Sequence, residues 1–239
     1  MSSRDSGAAL RAAAELGPYF VWEPYDGDGE WRPLRDLRDG DVIGERVRIG
    51  RRTLAALGGL DLDAIDERVT ASIIFLGLAS RLLSPLVGAV ATTGVLPIAD
   101  LDRLWWRPVQ GGPIPIAWRD LDSEPGTAER FTTTAIRGVV EPVLDVFRER
   151  YRLSPQVLWG NVASALGGAA GMIADTLPDA AEPAARLVGQ ALDLPPLRGM
   201  ATLNRPDPAR ARWYLARNNC CLYYRIPGGG TCGDCVLRR

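Results

Sequence analysis

All four cysteines of this 239-residue chain fall within its last twenty positions, at Cys220, Cys221, Cys232 and Cys235. The spacing is C-C-x10-C-x2-C, and four thiols fit the ligand count of a four-thiolate metal or iron–sulfur site. Cys232-Gly-Asp-Cys235 is the half able to wrap an ion, because a C-x2-C turn brings two sulfurs onto one metal edge. Cys220 and Cys221 need more help, since adjacent side chains in extended backbone point to opposite faces. A bend must follow them, and Gly228-Gly229-Gly230 then lets the chain fold back over the site. This tail constrains the fold more than any other stretch does.

Histidine is absent, and all 28 basic residues are arginine. The missing imidazole excludes Ser-His-Asp catalysis, His-ligated zinc, Rieske ligation and haem held by His. A net charge of −1 gives no reason to expect nucleic acid. The first twenty residues contain Arg4, Arg11 and Glu15 and no secretory apolar run, so a cytoplasmic address is expected. Thiols stay reduced there, which argues against structural disulfides.

Apolar periodicity and proline-marked helix starts predict a mainly α chain with a short extended or β-hairpin region and a C-terminal iron–sulfur module. Ile43, Val47, Leu54 and Leu57 fall on one face of a helix beginning at Asp41 and stopped by Gly58-Gly59. A second helix spans Leu62 to Leu82, with Asp61 and Asp63 at its N-terminus. Further starts are read at Ser84-Pro85, Glu141-Pro142, Ser154-Pro155, Glu182-Pro183 and Asp207-Pro208. The nearly uncharged stretch Ile73 to Ala99 is thereby divided into two buried helices, in place of one span of roughly 20 apolar residues. Leu153 to Ala174 reads as a close-packing helix, with Gly167-Gly168-Ala-Ala-Gly171 as a packing patch. No transmembrane span is expected, which leaves peripheral membrane contact open. Tyr19 to Leu34 is irregular or a small hairpin, and Asp26-Gly-Asp28-Gly-Glu30 reads as a solvated turn. Trp105-Trp106 and the segment 111–118 read as extended. Leu192 to Pro206 connects to a last helix, Ala209 to Arg217.

On the residues alone, iron–sulfur and structural zinc both stand for the four cysteines, although zinc sites usually arrive as two C-x2-4-C halves. A thiol–disulfide enzyme would need a thioredoxin-like βαβ pattern, which the chain does not show. Nor does it carry a dinucleotide, phosphate-loop or flavin motif. Electrons would therefore come from another protein or a soluble carrier.

The tail resembles the siderophore-iron reductases of the FhuF type in its Arg-x-x-Cys-Cys-Leu-x-Tyr and Pro-Gly-Gly…Cys-Gly-Asp-Cys texture. Trp159-Gly160-Asn161 resembles the family's middle region more loosely. One departure is Val236, where the family often has Pro after the last cysteine. The resemblance implies a [2Fe–2S] cluster on Cys220, Cys221, Cys232 and Cys235. It further implies one-electron reduction of Fe(III) in a ferric siderophore, with a ferredoxin or flavin reductase as external donor. Residues 1–205 would form a helical scaffold that binds siderophore, and residues 206–239 a C-terminal helix with the cluster module. Arg217 or Arg225 and the backbone N–H groups of the glycine run, Gly233 and Asp234 would offset the cluster's negative charge. Arginines, with Trp105, Trp106 and Trp213, are candidates to touch the siderophore. A non-catalytic iron–sulfur sensor or partner-binding protein is the alternative. A siderophore-assembly relative is a weaker one, since it would need a nucleotide-handling region.

Overall fold

The computed structural model describes residues 3–27 and 29–238, so Asp28 of the acidic turn lies outside the described residues. Among the described residues helices predominate, seven of them α-helices: α1 (Ser3–Ala14), α2 (Gly40–Gly58), α3 (Glu67–Thr93), α4 (Ala128–Phe131), α5 (Glu141–Tyr151), α6 (Pro155–Thr176) and α7 (Ala181–Leu192). Eight short strands accompany them there: β1 (Glu23–Pro24), β2 (Arg32–Pro33), β3 (Val95–Ile98), β4 (Leu104–Trp106), β5 (Ile116–Trp118), β6 (Asp122–Pro125), β7 (Ala201–Asn204) and β8 (Tyr214–Arg217).

The central element is α3, packed against α1, α2, α6 and α7. Asp66 caps it by accepting from the Arg68 and Val69 N–H groups, and Gly94 closes it in the left-handed region at φ 72°. The expected break at Ser84-Pro85 does not occur. Pro85 cannot donate to the carbonyl of Arg81 one turn earlier, which normally disrupts a helix. Here the Trp22 indole N–H fills that vacancy at 2.9 Å. The Arg81 side chain then ties the N-terminal segment down, donating to the carbonyls of Pro18, Val21 and Ile114. A tertiary partner has replaced the lost helical bond, and one 27-residue helix results.

Both α3 and α6 are long and apolar enough to cross a membrane, yet each has 72% of its apolar window buried inside the fold. Ser154 caps α6 as its sequence signals, accepting from the Val157 N–H. Glu141-Pro142 is no separate start, because α4, a π-helical stretch Thr132–Val140 and α5 run on continuously. Pro183 sits in the first turn of α7, near where it was expected. The acidic cap of α3 falls at Asp66 and not at Asp61 or Asp63, with a 3-10 turn at Leu62–Ala64. In α2, Ile43 and Val47 are core residues, but Leu57 is 81% exposed on the last turn.

The extended region forms a four-stranded sheet ordered β1-β5-β4-β2, so β1 and β2 flank the β4–β5 pair and do not form a hairpin with each other. Trp106 is buried in the core, whereas Trp105 stacks on Tyr25 with centroids 4.0 Å apart. A second pair joins β3 and β6.

The last helix read at Ala209–Arg217 is instead a strand. Asp207 does accept from the Ala209 N–H, as a helix cap would, but the chain turns there. β8 then pairs antiparallel with β7, Ala201 opposite Arg217 and Asn204 opposite Tyr214. Alternation decides this segment, because Leu215 and Arg217 are buried while Tyr214 is exposed. The connection at 192–206 therefore contributes a strand, and the 205/206 boundary falls within the turn of one hairpin.

Candidate metal centre

The β7–β8 hairpin lies across α6, and its strand β8 delivers the chain into Cys220. Small residues make the approach close. A Cβ on Gly167 would stand 2.5 Å from Leu215, and one on Gly160 would stand 1.7 Å from the Asn219 side-chain oxygen. Both glycines are therefore required by packing, whereas a Cβ on Gly168 would meet nothing within 4 Å.

Beyond β8 the backbone bends as adjacent cysteines require. Leu222 adopts φ 71°, a left-handed conformation unusual for a leucine, directly after Cys221. Its N–H reaches the Cys220 sulfur at 3.3 Å. A 3-10 turn at Tyr223–Arg225 follows, and Gly228 and Gly230, at φ 72° and 73°, return the chain. The anticipated N–H groups of the glycine run, Gly233 and Asp234 make no sulfur contact among the described residues. Gly229 instead donates to the Ile226 carbonyl.

Cys221 and Cys235 are buried, and Cys220 and Cys232 are partly so. The sulfurs of Cys221 and Cys232 are 3.4 Å apart. Burial raises the Cys220 thiol above its ordinary pKa; the neighbouring Cys221 and Cys235 add to this, and the Leu222 N–H and Arg217 oppose it. Burial also raises Cys232, reinforced by Cys221 and Asp234. The four cysteines thus lie in one neighbourhood, each at least partly buried. Among the described residues they do not close into a ligand shell of three or more donors.

Beneath them runs a buried polar chain. Ser72, on α3, donates to the Cys221 carbonyl at 2.8 Å. Asn161, on α6, donates to the carbonyl and hydroxyl of Ser72 at 2.9 and 3.0 Å. Arg217 donates to Asn161 Oδ1 at 2.9 Å and to Asn219 Oδ1 at 2.8 Å. Asn219 in turn donates to the Met200 carbonyl at 3.1 Å.

Arg217 is 0% exposed, forms no salt bridge among the described residues, and leaves Nη1 without a partner. A buried cation with no counter-charge is costly. The neighbouring Cys220 can supply negative charge, and Arg217 favours its thiolate. Donor chemistry and orphaned cation therefore both fit an anionic thiolate-ligated group at this place. Arg225 is exposed and lies beside Tyr224.

Sequence reasoning singled out the cysteines, Arg217 and the Trp-Gly-Asn motif, but missed Ser72, Asn219 and Ser164. Ser164, on α6, donates to the Asp234 carboxylate between the last two cysteines. Polar residues set within nearly uncharged helices were the available signal. Trp105 and Trp106 belong to the four-stranded sheet, while Trp213 comes close to the cysteine loop.

Two cavities stand out among the described residues. One, of about 210 Å³, lies between α2 and α3 and is lined by Ile43, Ile74, Gly77 and Arg81. The other, of about 280 Å³, lies between α6 and β8 and reaches Gly233 and Asp234.

Residues 217–237 match the family model described as the FhuF 2Fe-2S C-terminal domain. Comparison with curated proteins gives no match.

Proposed function

We propose that this chain, whose segment 217–237 is of the FhuF 2Fe-2S type, is a ferric siderophore reductase. Cys220, Cys221, Cys232 and Cys235 would hold the [2Fe–2S] cluster. The group supplies one-electron redox chemistry when bound. The protein's own part is to desolvate the four thiols, to place the Arg217 charge beneath them and to anchor the Cys221 backbone on Ser72. No acid or base is needed for the transfer: one electron enters from a carrier protein such as a ferredoxin or flavin reductase, and one siderophore-bound Fe(III) becomes Fe(II). Hard oxygen ligands hold Fe(III) far more tightly than Fe(II), so reduction loosens the metal. Release would occur in the cytoplasm.

The observation that carries this reading is the fully buried Arg217, without a counter-charge among the described residues, close to Cys220 in the four-cysteine tail. The test begins with anaerobically purified protein. Iron, acid-labile sulfide and an EPR signal on reduction are expected, and Ser at any one of the four cysteines should sharply lower all three. Zinc in place of iron, from iron-replete cells, would overturn the cofactor. The chemically reduced protein should then reoxidise on mixing with ferric siderophore while a ferrous chelator captures Fe(II). NADH or NADPH alone should not drive the cycle. A reduced protein that ignores every ferric siderophore offered would favour the sensor.

A further inference from the structure

We infer that the ferric siderophore docks in the cleft between α6 and β8, a site that rests on the reductase reading above. The cleft is lined by Ser164, Gly168, Arg212, Trp213, Tyr214 and Asp234, among others. Three properties distinguish it from the cavity between α2 and α3.

Its edge is Gly233-Asp234, the two residues between Cys232 and Cys235, so an occupant lies directly against the cysteine loop. The other cavity has no cysteine-loop residue in its lining. Short separation matters because no bond forms between siderophore and protein in a one-electron transfer. One electron leaves the reduced protein, one Fe(III) becomes Fe(II), and the chelator's oxygen ligands are untouched by the transfer itself.

The walls also suit a large, partly solvated chelate. Tyr214 is 46% exposed, Trp213 offers a broad apolar face, and the Arg212 guanidinium lies 5.3 Å from the Tyr214 ring centroid. Trp213 itself is partly buried and lines the cleft. Asp175 and the Gly171 carbonyl hold Arg212 in place. By contrast, every guanidinium nitrogen of Arg81 in the other cavity is engaged by a backbone carbonyl.

Finally, Gly168 is the one position of the 167–168 pair not demanded by packing. It is exposed, it lines the cleft, and a Cβ there meets nothing within 4 Å. A helical glycine costs about 1 kcal/mol relative to alanine. Open space over the cleft is what that cost preserves. Residues on both sides of the 205/206 boundary line the cleft, so a siderophore bound there would not be confined to residues 1–205.

The same open geometry supplies the experiment. Gly168→Phe fills this cleft, and Gly77→Phe fills the other cavity, where an added Cβ likewise meets nothing within 4 Å. Binding is read by titrating the cluster-loaded protein with redox-inert gallium(III) complexes of a tris-hydroxamate and a tris-catecholate chelator. Reoxidation by the matching ferric complexes is read by stopped flow, with ferricyanide as an outer-sphere oxidant needing no docking site. Gly168→Phe should weaken binding and slow ferric-siderophore reoxidation at least tenfold, with cluster content and ferricyanide rate unchanged. Gly77→Phe should alter none of these. Tyr214→Ala, a truncation on the exposed wall, should weaken binding several-fold if Gly168→Phe proves poorly folded.

Wild-type binding in Gly168→Phe and Tyr214→Ala, selective loss in Gly77→Phe, or no gallium complex bound by the wild type would overturn the site. If binding is lost in Gly168→Phe but the reduced wild type never reoxidises on ferric siderophore, the cleft stands and the reductase reading falls. If the wild type and Gly168→Phe reoxidise equally fast, the reverse holds.

Discussion

Gly160→Ala puts the packing under the cysteines to a quantitative test. In an ordinary helix the change would stabilise by about 1 kcal/mol. Here the new methyl would stand 1.7 Å from Asn219 Oδ1 and 2.4 Å from its Cγ, so the Asn219 side chain must leave. Its departure breaks the 2.8 Å bond from Arg217 and the 3.1 Å bond to the Met200 carbonyl. A bond to a charged group contributes about 1.5–3 kcal/mol and a neutral one about 1 kcal/mol. With the helical gain subtracted, Gly160→Ala should cost about 1.5–3 kcal/mol. Asn219→Ala, which loses the same bonds directly, should cost about 2.5–4 kcal/mol. The double variant has no clash left to relieve and keeps the helical gain, so it should cost only about 1.5–3 kcal/mol. Simple addition would give about 4–7 kcal/mol. The measurement is urea unfolding of the cluster-loaded proteins, with each free energy extrapolated to water. Costs that add within about 0.5 kcal/mol would show the two sites to be independent and would refute the described contact.

Two further outcomes are expected. Trp22→Phe leaves the Arg81 carbonyl, one turn before Pro85, without its donor, and should destabilise by about 1–3 kcal/mol in urea unfolding; a neutral result would mean that Pro85 is tolerated for another reason. Arg217→Met removes a buried cation that lacks a counter-charge when iron is absent, so it should cost the iron-free protein less than about 1 kcal/mol while clearly destabilising the iron-loaded form. Equal losses in the two forms would reduce Arg217 to a structural residue.

The candidate cysteine site could be singled out because its chemistry is local: four thiols in sixteen positions admit few roles. The bend after Cys221 and the glycine return were also implied by backbone sterics. What the sequence concealed was tertiary compensation. Pro85 carries a strong local stop signal, and only the distant Trp22 indole explains why α3 continues. Asp207-Pro208 carries the same signal, and there the cap forms but no helix follows, because residues 214–217 gain more by pairing with 201–204 and burying Leu215 over Gly167. Leu57 fits the periodicity of α2 yet protrudes into solvent on the last turn of the helix. Ser72 and Asn161 were visible as polar residues in apolar runs, but their partner in the tail lies far along the chain.

That partnership bears on where the cluster module begins. The matched segment starts at Arg217, the residue whose charge the cysteines would compensate. Two of the groups that position this charge and the Cys221 backbone, however, sit on scaffold helices: Asn161 on α6 and Ser72 on α3. Ile226 adds an apolar tie, packing with Ile65, Val69 and Ala55. A tail severed before Cys220 would therefore expose apolar surface on α2 and α3, take the Cys221 carbonyl from Ser72 and leave the buried Arg217 without the neighbouring cysteines. Conversely, the tail alone has neither the burial that raises its thiols nor the anchor that bends it. The four candidate ligands are local in sequence, but the environment that would suit them to a buried anionic cluster is assembled with the scaffold helices.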